Sequence, residues 1–557
     1  MDAHLNHGPP VFPIPRFESS IPRSTPGRPR RIEARLTFTE QLGSADFQGP
    51  QPELGGSDIH KPALRELTPL RLLENQPPHF GFMLTMSISV QVVCALAAGL
   101  LSHVCYFVRG EHHITAPTLL KTYIVLAIVI VSFEFKTGGL GLLDAALTTF
   151  AVCTSYASSI FASMLVYRLF FHRLRHFPGP LLARSSKLYH AWQVRKSDQY
   201  IFLEQLHQKY GDFVRTGPNE ITMFTPSAVA EVYGPSSKCV RSAWYDMMQP
   251  LVSMILTRSK PAHDARRRVW DPSFSVKALQ SYEDRVLSYA QLLDGSLSSF
   301  SSEPVNATAW FKYFAFDVMT DIHYGQSLDM LKNGKDHYAI ELSHAGVAVM
   351  GPLTPVPWLC QLLMSIPGAQ KEWQAYQVWA HEELQSRIKR KPEHFDSVSH
   401  PLSAAQEQGG VDIEENYKWL FGDFIANIGA GSETILSTMV FLFYHLAAAP
   451  TEIAKLRTEL EALTSFSDNR ELTSMPHLNG VINETLRLHP PIPSGGLRDT
   501  PPEGLEIDGT YIPGGVTVLV PAYSLGRCTS LAWHNLDIVL FSSFMALCPL
   551  LLADTDE

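Results

Sequence analysis

The 557 residues hold only seven cysteines (Cys94, Cys105, Cys153, Cys239, Cys360, Cys528 and Cys548), none in a CxxC pair or at a regular spacing. That argues against a disulfide framework and against a zinc site. Charge is sparse as well: Asp, Glu, Lys and Arg make up 18% of the chain, the formal balance is -9, and dense basic residues occur only between Arg16 and Arg35, in a proline-rich stretch. A nucleic-acid partner is therefore not expected, and the basic stretch reads as a solvated arm. No internal repeat is present.

Apolar side chains are plentiful, at 45%, enough for one large catalytic domain or two ordinary ones with material left over. They are unevenly placed. Residues 1–80 are rich in Pro, Gly, Ser and Arg and lack an apolar period, so no folded core is expected there. A mitochondrial presequence is a weak alternative there, because Glu18 and Glu33 interrupt the arginines and the prolines would break a targeting helix. From Met83 to Val108 the chain is almost continuously apolar, the length of a membrane span, and Thr122 to Phe133 and Ala145 to Tyr167 are candidate second and third spans. Residues 81–170 are thus expected to form an anchor of one to three helices in membrane lipid. Arg109 and Lys121 bracket the first loop, and Arg168, Arg173 and Arg175 follow the last span. Both regions are expected to face the cytosol, with the N-terminus luminal. The arginines before residue 36 fit that side poorly, so translation is expected to begin at Met83 or Met86; native peptides from residues 1–80 would refute this.

Beyond Phe177 the pattern becomes globular and helix-rich. Tyr210 to Phe224 alternates and turns like a hairpin, and residues 498–521 return to short strands, with Asp508-Gly509 and Pro513-Gly514 as turns. A transporter is not expected, because nothing between residue 177 and the tail reads as long and apolar enough to span. The longest helical pattern, about Tyr417 to Leu446, is interrupted by Gly429-Ala430-Gly431-Ser432-Glu433-Thr434. Each helix-interior glycine costs about 1 kcal/mol relative to alanine, so two beside an acid and an alcohol need a reason. Either a ligand lies against the backbone, with Glu433 and Thr434 placed to relay protons, or another helix packs closely there. Glu484 and Arg487 are three apart and share a helix face, where an ion pair forms. Alone this spacing is common on solvated helices; here Leu488-His489-Pro490-Pro491 ends the helix at once and a turn-rich segment carrying Arg498 follows.

Together these residues resemble a known family. Ala430-Gly431-Ser432-Glu433-Thr434 and Glu484-Thr485-Leu486-Arg487 followed by Leu488-His489-Pro490-Pro491 are similar to the oxygen-binding helix and the ExxR helix of cytochrome P450 monooxygenases. Phe177-Pro178-Gly179-Pro180 resembles the hinge after the membrane anchor. His263-Asp264-Ala265-Arg266-Arg267, followed by Trp270-Asp271-Pro272-Ser273-Phe274, resembles the helix whose arginine contacts a haem propionate. The resemblance covers about residues 177–527. It implies a mostly α fold with a small β region, preceded by transmembrane helices, of the fungal, membrane-anchored class II type. It implies haem b (heme b) as cofactor, with Ala430 and Gly431 against it, Arg267 and Arg498 on its propionates and His263 assisting. Thr434 and Glu433 become catalytic, and Glu484 and Arg487 structural. It implies O2 and an NADPH-dependent P450 reductase as partners, an apolar small-molecule substrate in secondary metabolism, and an endoplasmic reticulum membrane with the catalytic domain in the cytosol. Residues 320–370 would then lie near the access channel.

The pattern departs from the family after Arg527. The Phe-x-x-Gly-x-Arg-x-Cys-x-Gly loop, whose thiolate binds the iron, does not occur, and residues 528–557 form a divergent tail with an apolar run from Ile538 to Leu552. Cys528 comes too soon after the ExxR helix, and Cys548 sits among Ala, Leu and Pro without glycine or arginine, so neither is assigned as a metal ligand. The C-terminal haem-ligand part is thus expected to be missing. Glu484 and Arg487 should then lack their third partner, and the chain its thiolate spectrum. The alternative function is a catalytically inactive, truncated P450-like membrane protein. The sequons at Asn306 and Asn483 lie in the domain placed in the cytosol and read as chance matches.

Overall fold

The computed structural model describes residues 87–137, 140–300, 303–463, 466 and 469–528. The arm expected over residues 1–80, the divergent tail after Cys528, and Cys548 within it lie outside the described residues. Three apolar helices open the described chain: α1 (Ile88–Ser102, continued by a π-helical turn to Phe107), α2 (Ala116–Thr137) and α3 (Leu142–Val166). Each is long and apolar enough to cross a membrane. Small residues and polar side chains hold the three helices together. A Cβ on Gly99 of α1 would run into the Tyr156 carbonyl and Ser159 of α3, so glycine there permits the backbone approach. Around it Ser159 Oγ donates to Leu96 O at 2.6 Å, Tyr156 OH to Ser102 Oγ at 3.0 Å, and His103 Nδ1 lies 2.7 Å from Ser163 Oγ. Helix α2 joins through Tyr123 OH, which donates to Cys153 O at 2.8 Å.

After these three helices the described chain is mostly helical with a small β region. Strands β1 (Phe213–Gly217), β2 (Glu220–Met223), β3 (Val240–Arg241), β4 (Arg498–Asp499) and β7 (Thr517–Leu519) form one sheet in the order β1-β2-β7-β4-β3. Its β2-β7 pair is parallel and the others antiparallel. Strands β5 (Leu505–Ile507) and β6 (Thr510–Ile512) make a separate hairpin, turned at Asp508-Gly509, both at positive φ. Ile221, Met223, Val518 and Ile512 are buried together, so the sheet brings residues near 220 against residues near 515.

The main core lies between the long helix Glu414–Ala448 and the helix Ala307–Tyr324, with Phe316, Tyr324, Phe424 and Ile428 buried between them and their neighbours. The long helix corrects one expectation. Among the described residues it is a fourth segment that meets the length and composition of a span, although nothing after residue 177 was expected to. Its surroundings are those of a protein core: the buried Asp423 carboxylate accepts from Arg266 Nε (2.5 Å), Trp270 Nε1 (2.8 Å) and the Met254 N–H (2.6 Å). Such a charge is kept by fixed partners, which lipid does not offer.

Candidate functional site

Between Gly422 and Ser432 the long helix is mostly buried, but Ala426, Gly429 and Ala430 are partly open, and Glu433 and Thr434 continue that side. The steps of three and four residues put them on one face. The two glycines differ. A Cβ on Gly431 would press into buried Met319, so this glycine serves close helix packing, while a Cβ on Gly429 would meet none of the described residues within 4 Å. Close helix packing thus accounts for Gly431, while Gly429 faces open space. Thr434 Oγ1 donates to Ala430 O at 2.8 Å, which fixes the hydroxyl along the open face. Glu433 Oε1 lies 2.5 Å from Nε2 of His344, on the helix Tyr338–Met350. That carboxylate raises the His344 imidazole above its ordinary pKa, against the opposing effect of burial.

A second cluster forms where β3 meets β4. Arg241 and Arg498 are direct cross-strand partners, and both guanidiniums lie over the ring of buried Tyr245, at 5.4 and 5.5 Å. Like charges placed opposite each other on a sheet repel. Their hydrogen-bond acceptors are neutral: Arg241 donates to Thr257 O at 2.8 Å, and Arg498 to Tyr245 OH at 2.8 Å and Leu497 O at 3.3 Å. Arg241 Nε is buried without a hydrogen-bond partner among the described residues. Burial lowers the Arg241 pKa, and Arg498 adds to the shift. His263, on the helix Lys260–Trp270, is lowered first by burial, with further contributions from Arg241 and Arg267. His263 and Arg267 turn to nearby carboxylates, His263 Nδ1 to Asp264 of the same helix at 2.9 Å and Arg267 Nε to Asp271, just past its end, at 3.3 Å. Arg241 is the residue that sequence reading missed. A single arginine in a two-residue strand carries no local signal, and its meaning comes from the strand opposite.

Glu484 and Arg487 pair through two bonds, Nε to Oε2 at 2.7 Å and NH2 to Oε1 at 2.5 Å, and the pair lowers the Glu484 pKa. The third acceptor of Arg487 is the carbonyl of Gly526. Glycine is needed at 526, since a Cβ would collide with the Arg487 carbonyl. Cys528 packs on the sheet cluster, with Sγ 3.4 Å from Ser524 O. Burial, then the Glu204 and Asp212 carboxylates, raise its thiol pKa.

Against haem the fit is therefore divided. The orphaned Arg241 Nε and the neutral partners of two facing arginines suit carboxylates such as propionates, and the open face at Gly429 suits a flat group beside the helix. On the iron side, Cys528 does not fit as the thiolate.

A mostly helical domain with this ExxR pair, acid-alcohol helix and arginine cradle is of the haem-monooxygenase type. The cytochrome P450 family model matches residues 178–531. Among relatives, the cytochrome P450 monooxygenase notG' of Aspergillus versicolor is 37% identical over 77% of this chain and 79% of its own. The cytochrome P450 monooxygenase FCK2 of Fusarium pseudograminearum is 36% identical over 78% of this chain and 80% of its own. Tryprostatin B 6-hydroxylase of Aspergillus fumigatus is 33% identical over 81% and 83%. The chain belongs to the cytochrome P450 family, and by family its class is haem-thiolate oxidoreductase.

Proposed function

We propose that this protein is a membrane-anchored monooxygenase that inserts oxygen into an apolar small molecule during secondary-metabolite biosynthesis, using O2 and electrons from an NADPH-dependent reductase. The observation that carries the reading is the pairing of Arg241 with Arg498 beside an orphaned Nε, together with the open face that ends at Glu433 and Thr434. Haem b supplies the oxygen chemistry of the family, and the residues of this chain have other tasks. Arg241 and Arg498, with His263 and Arg267, hold carboxylates. Ala430 and Gly429 form a wall without side-chain obstruction. Glu433 exchanges protons with His344 at the half-exposed end, and Thr434, one residue on, passes them along the open face. Glu484 and Arg487 brace the segment that carries Gly526. On this reading the protein sits in the endoplasmic reticulum membrane, with the loop after α1 and the domain after α3 both cytosolic. In support, two helices, α2 and α3, separate that loop from the domain, and the loop touches the domain through His113 and Asp246. The names of relatives such as Tryprostatin B 6-hydroxylase support a secondary-metabolite substrate.

A second reading, a catalytically inactive P450-like membrane protein without an axial cysteine, is favoured by the place of Cys528 on the sheet cluster. The reduced, carbon-monoxide-bound spectrum of the 557-residue chain separates the two. A thiolate-type absorption band supports the monooxygenase; haem bound without that band, or no haem bound, supports the second reading.

A further inference from the structure

The eight residues between α1 with its π-helical turn and α2 carry Glu111 and His113, and both reach the catalytic domain. Glu111 grips Arg258 with both oxygens, at 2.6 and 2.8 Å. Arg258 also donates to Asp246 at 2.7 Å, to Asp499 of β4 at 3.4 Å and, through Nε, to the Arg241 carbonyl of β3 at 2.9 Å. His113 is buried, with Nε2 3.0 Å from the same Asp246 oxygen. One guanidinium thus joins the loop, the Ala243–Asp246 turn and two strands. Glu111, His113 and Asp246 also bring three potential metal-ligand atoms within 4.8 Å of one another, but the guanidinium already occupies both carboxylates, so an ion pair rather than a cation accounts for the cluster. A second contact lies beside it: α2 packs on the helix Pro357–Met364, whose Gln361 donates to the Asp246 carbonyl at 3.1 Å.

We infer that the loop between the first two spans is a latch on the catalytic domain: Glu111 and His113 seat on Arg258 and Asp246, and the anchor thereby fixes residues 243–257 instead of merely tethering the domain. The partner of the surface made by Asp246, Arg258 and Asp499 is this chain's own loop. The inference rests on the proposed topology, in which loop and domain share one side of the membrane, and not on haem or turnover. Three carboxylates share Arg258, so its loss leaves them facing one another. Lysine keeps the charge but loses the fork.

The test is hydrogen exchange, read by mass spectrometry, on the full chain in lipid nanodiscs. Glu111→Gln, His113→Phe and Arg258→Lys should each speed exchange in residues 110–115 and also in 243–257, by roughly five- to thirty-fold, the population change that losing such a contact allows. Amides of the Ala307–Tyr324 and Glu414–Ala448 helices should stay unchanged, which separates release of the latch from misfolding. Faster exchange in the loop alone, with 243–257 unaffected in all three variants, would overturn the inference. So would labelling of His112→Cys by an impermeant maleimide only from the side opposite the catalytic domain. Both readouts work without haem, so a failed spectral test of the monooxygenase leaves them interpretable.

Discussion

Three glycines of the long helix have different surroundings, and alanine at each should have a different effect. At Gly422 a Cβ would enter the carbonyl of Val252, a backbone atom that cannot rotate away. The segment cannot simply back off either, because the Met254 N–H is held by Asp423 at 2.6 Å. Alanine gains about 1 kcal/mol of helix propensity. Overpacking costs about 1–3 kcal/mol, and straining a hydrogen bond to a charged group puts about 1.5–3 kcal/mol at stake. Gly422→Ala should therefore be destabilising by roughly 2–4 kcal/mol. At Gly431 the obstacle is the thioether of Met319, a flexible group that can shift, so propensity and crowding should nearly cancel. At Gly429 none of the described residues stands within 4 Å, and alanine should stabilise by up to about 1 kcal/mol. Urea unfolding in detergent, followed by tryptophan fluorescence, should rank Gly429→Ala above wild type, Gly431→Ala close to it and Gly422→Ala well below. A Gly422→Ala protein as stable as wild type, or a Gly429→Ala protein that falls as far as Gly422→Ala, would refute the reasoning.

Asp423→Ala should destabilise by about 3–5 kcal/mol in the same assay, because it leaves Arg266 buried without its carboxylate; Arg266→Ala with Asp423→Ala should cost less than the sum of the two single changes. His344 gains its raised pKa from Glu433, so the stabilising effect of their contact should be complete below the unfolded-state value of about 6.5 and lost as pH rises through the higher folded value. Both side chains are nearly half exposed, so the effect should stay below about 1 kcal/mol, and His344→Phe should remove the pH dependence from an NMR-monitored or denaturant titration. Cys528 should react slowly with a maleimide near neutral pH, because burial and two carboxylates oppose its thiolate; a rate matching that of an exposed free thiol would contradict this.

The sequence made plain what depends on local period. The apolar runs became α1 to α3, the alternating stretch after Tyr210 became the β1-β2 hairpin, and the three-residue spacing of Glu484 and Arg487 became a two-bond pair. It hid what depends on distant segments meeting. The long helix passes for a span by composition, and it takes Asp423 with its partners from residues 254, 266 and 270, beside the buried Phe424 and Ile428, to show that it belongs to the core. Arg241 acquired meaning only when the sheet set it opposite Arg498, and Glu111 only when Arg258 came within reach. The glycine pair lay between these cases: its presence in a helix was a visible anomaly, while the split between packing at Gly431 and open space at Gly429 needed the neighbouring helix.

The proposed role of Arg241 and Arg498 as a cradle for the carboxylates of haem can be tested whatever ligand the iron takes. Titrating the purified chain with haem and with haem dimethyl ester, whose propionates are capped, reads the cradle from the Soret band. The account predicts that haem binds roughly tenfold or more tighter than the ester, in line with charge-assisted hydrogen bonds of about 1.5–3 kcal/mol. It also predicts that the difference collapses in Arg241→Gln and Arg498→Gln. Equal affinity for the acid and the ester, or a preference that survives both substitutions, would contradict it.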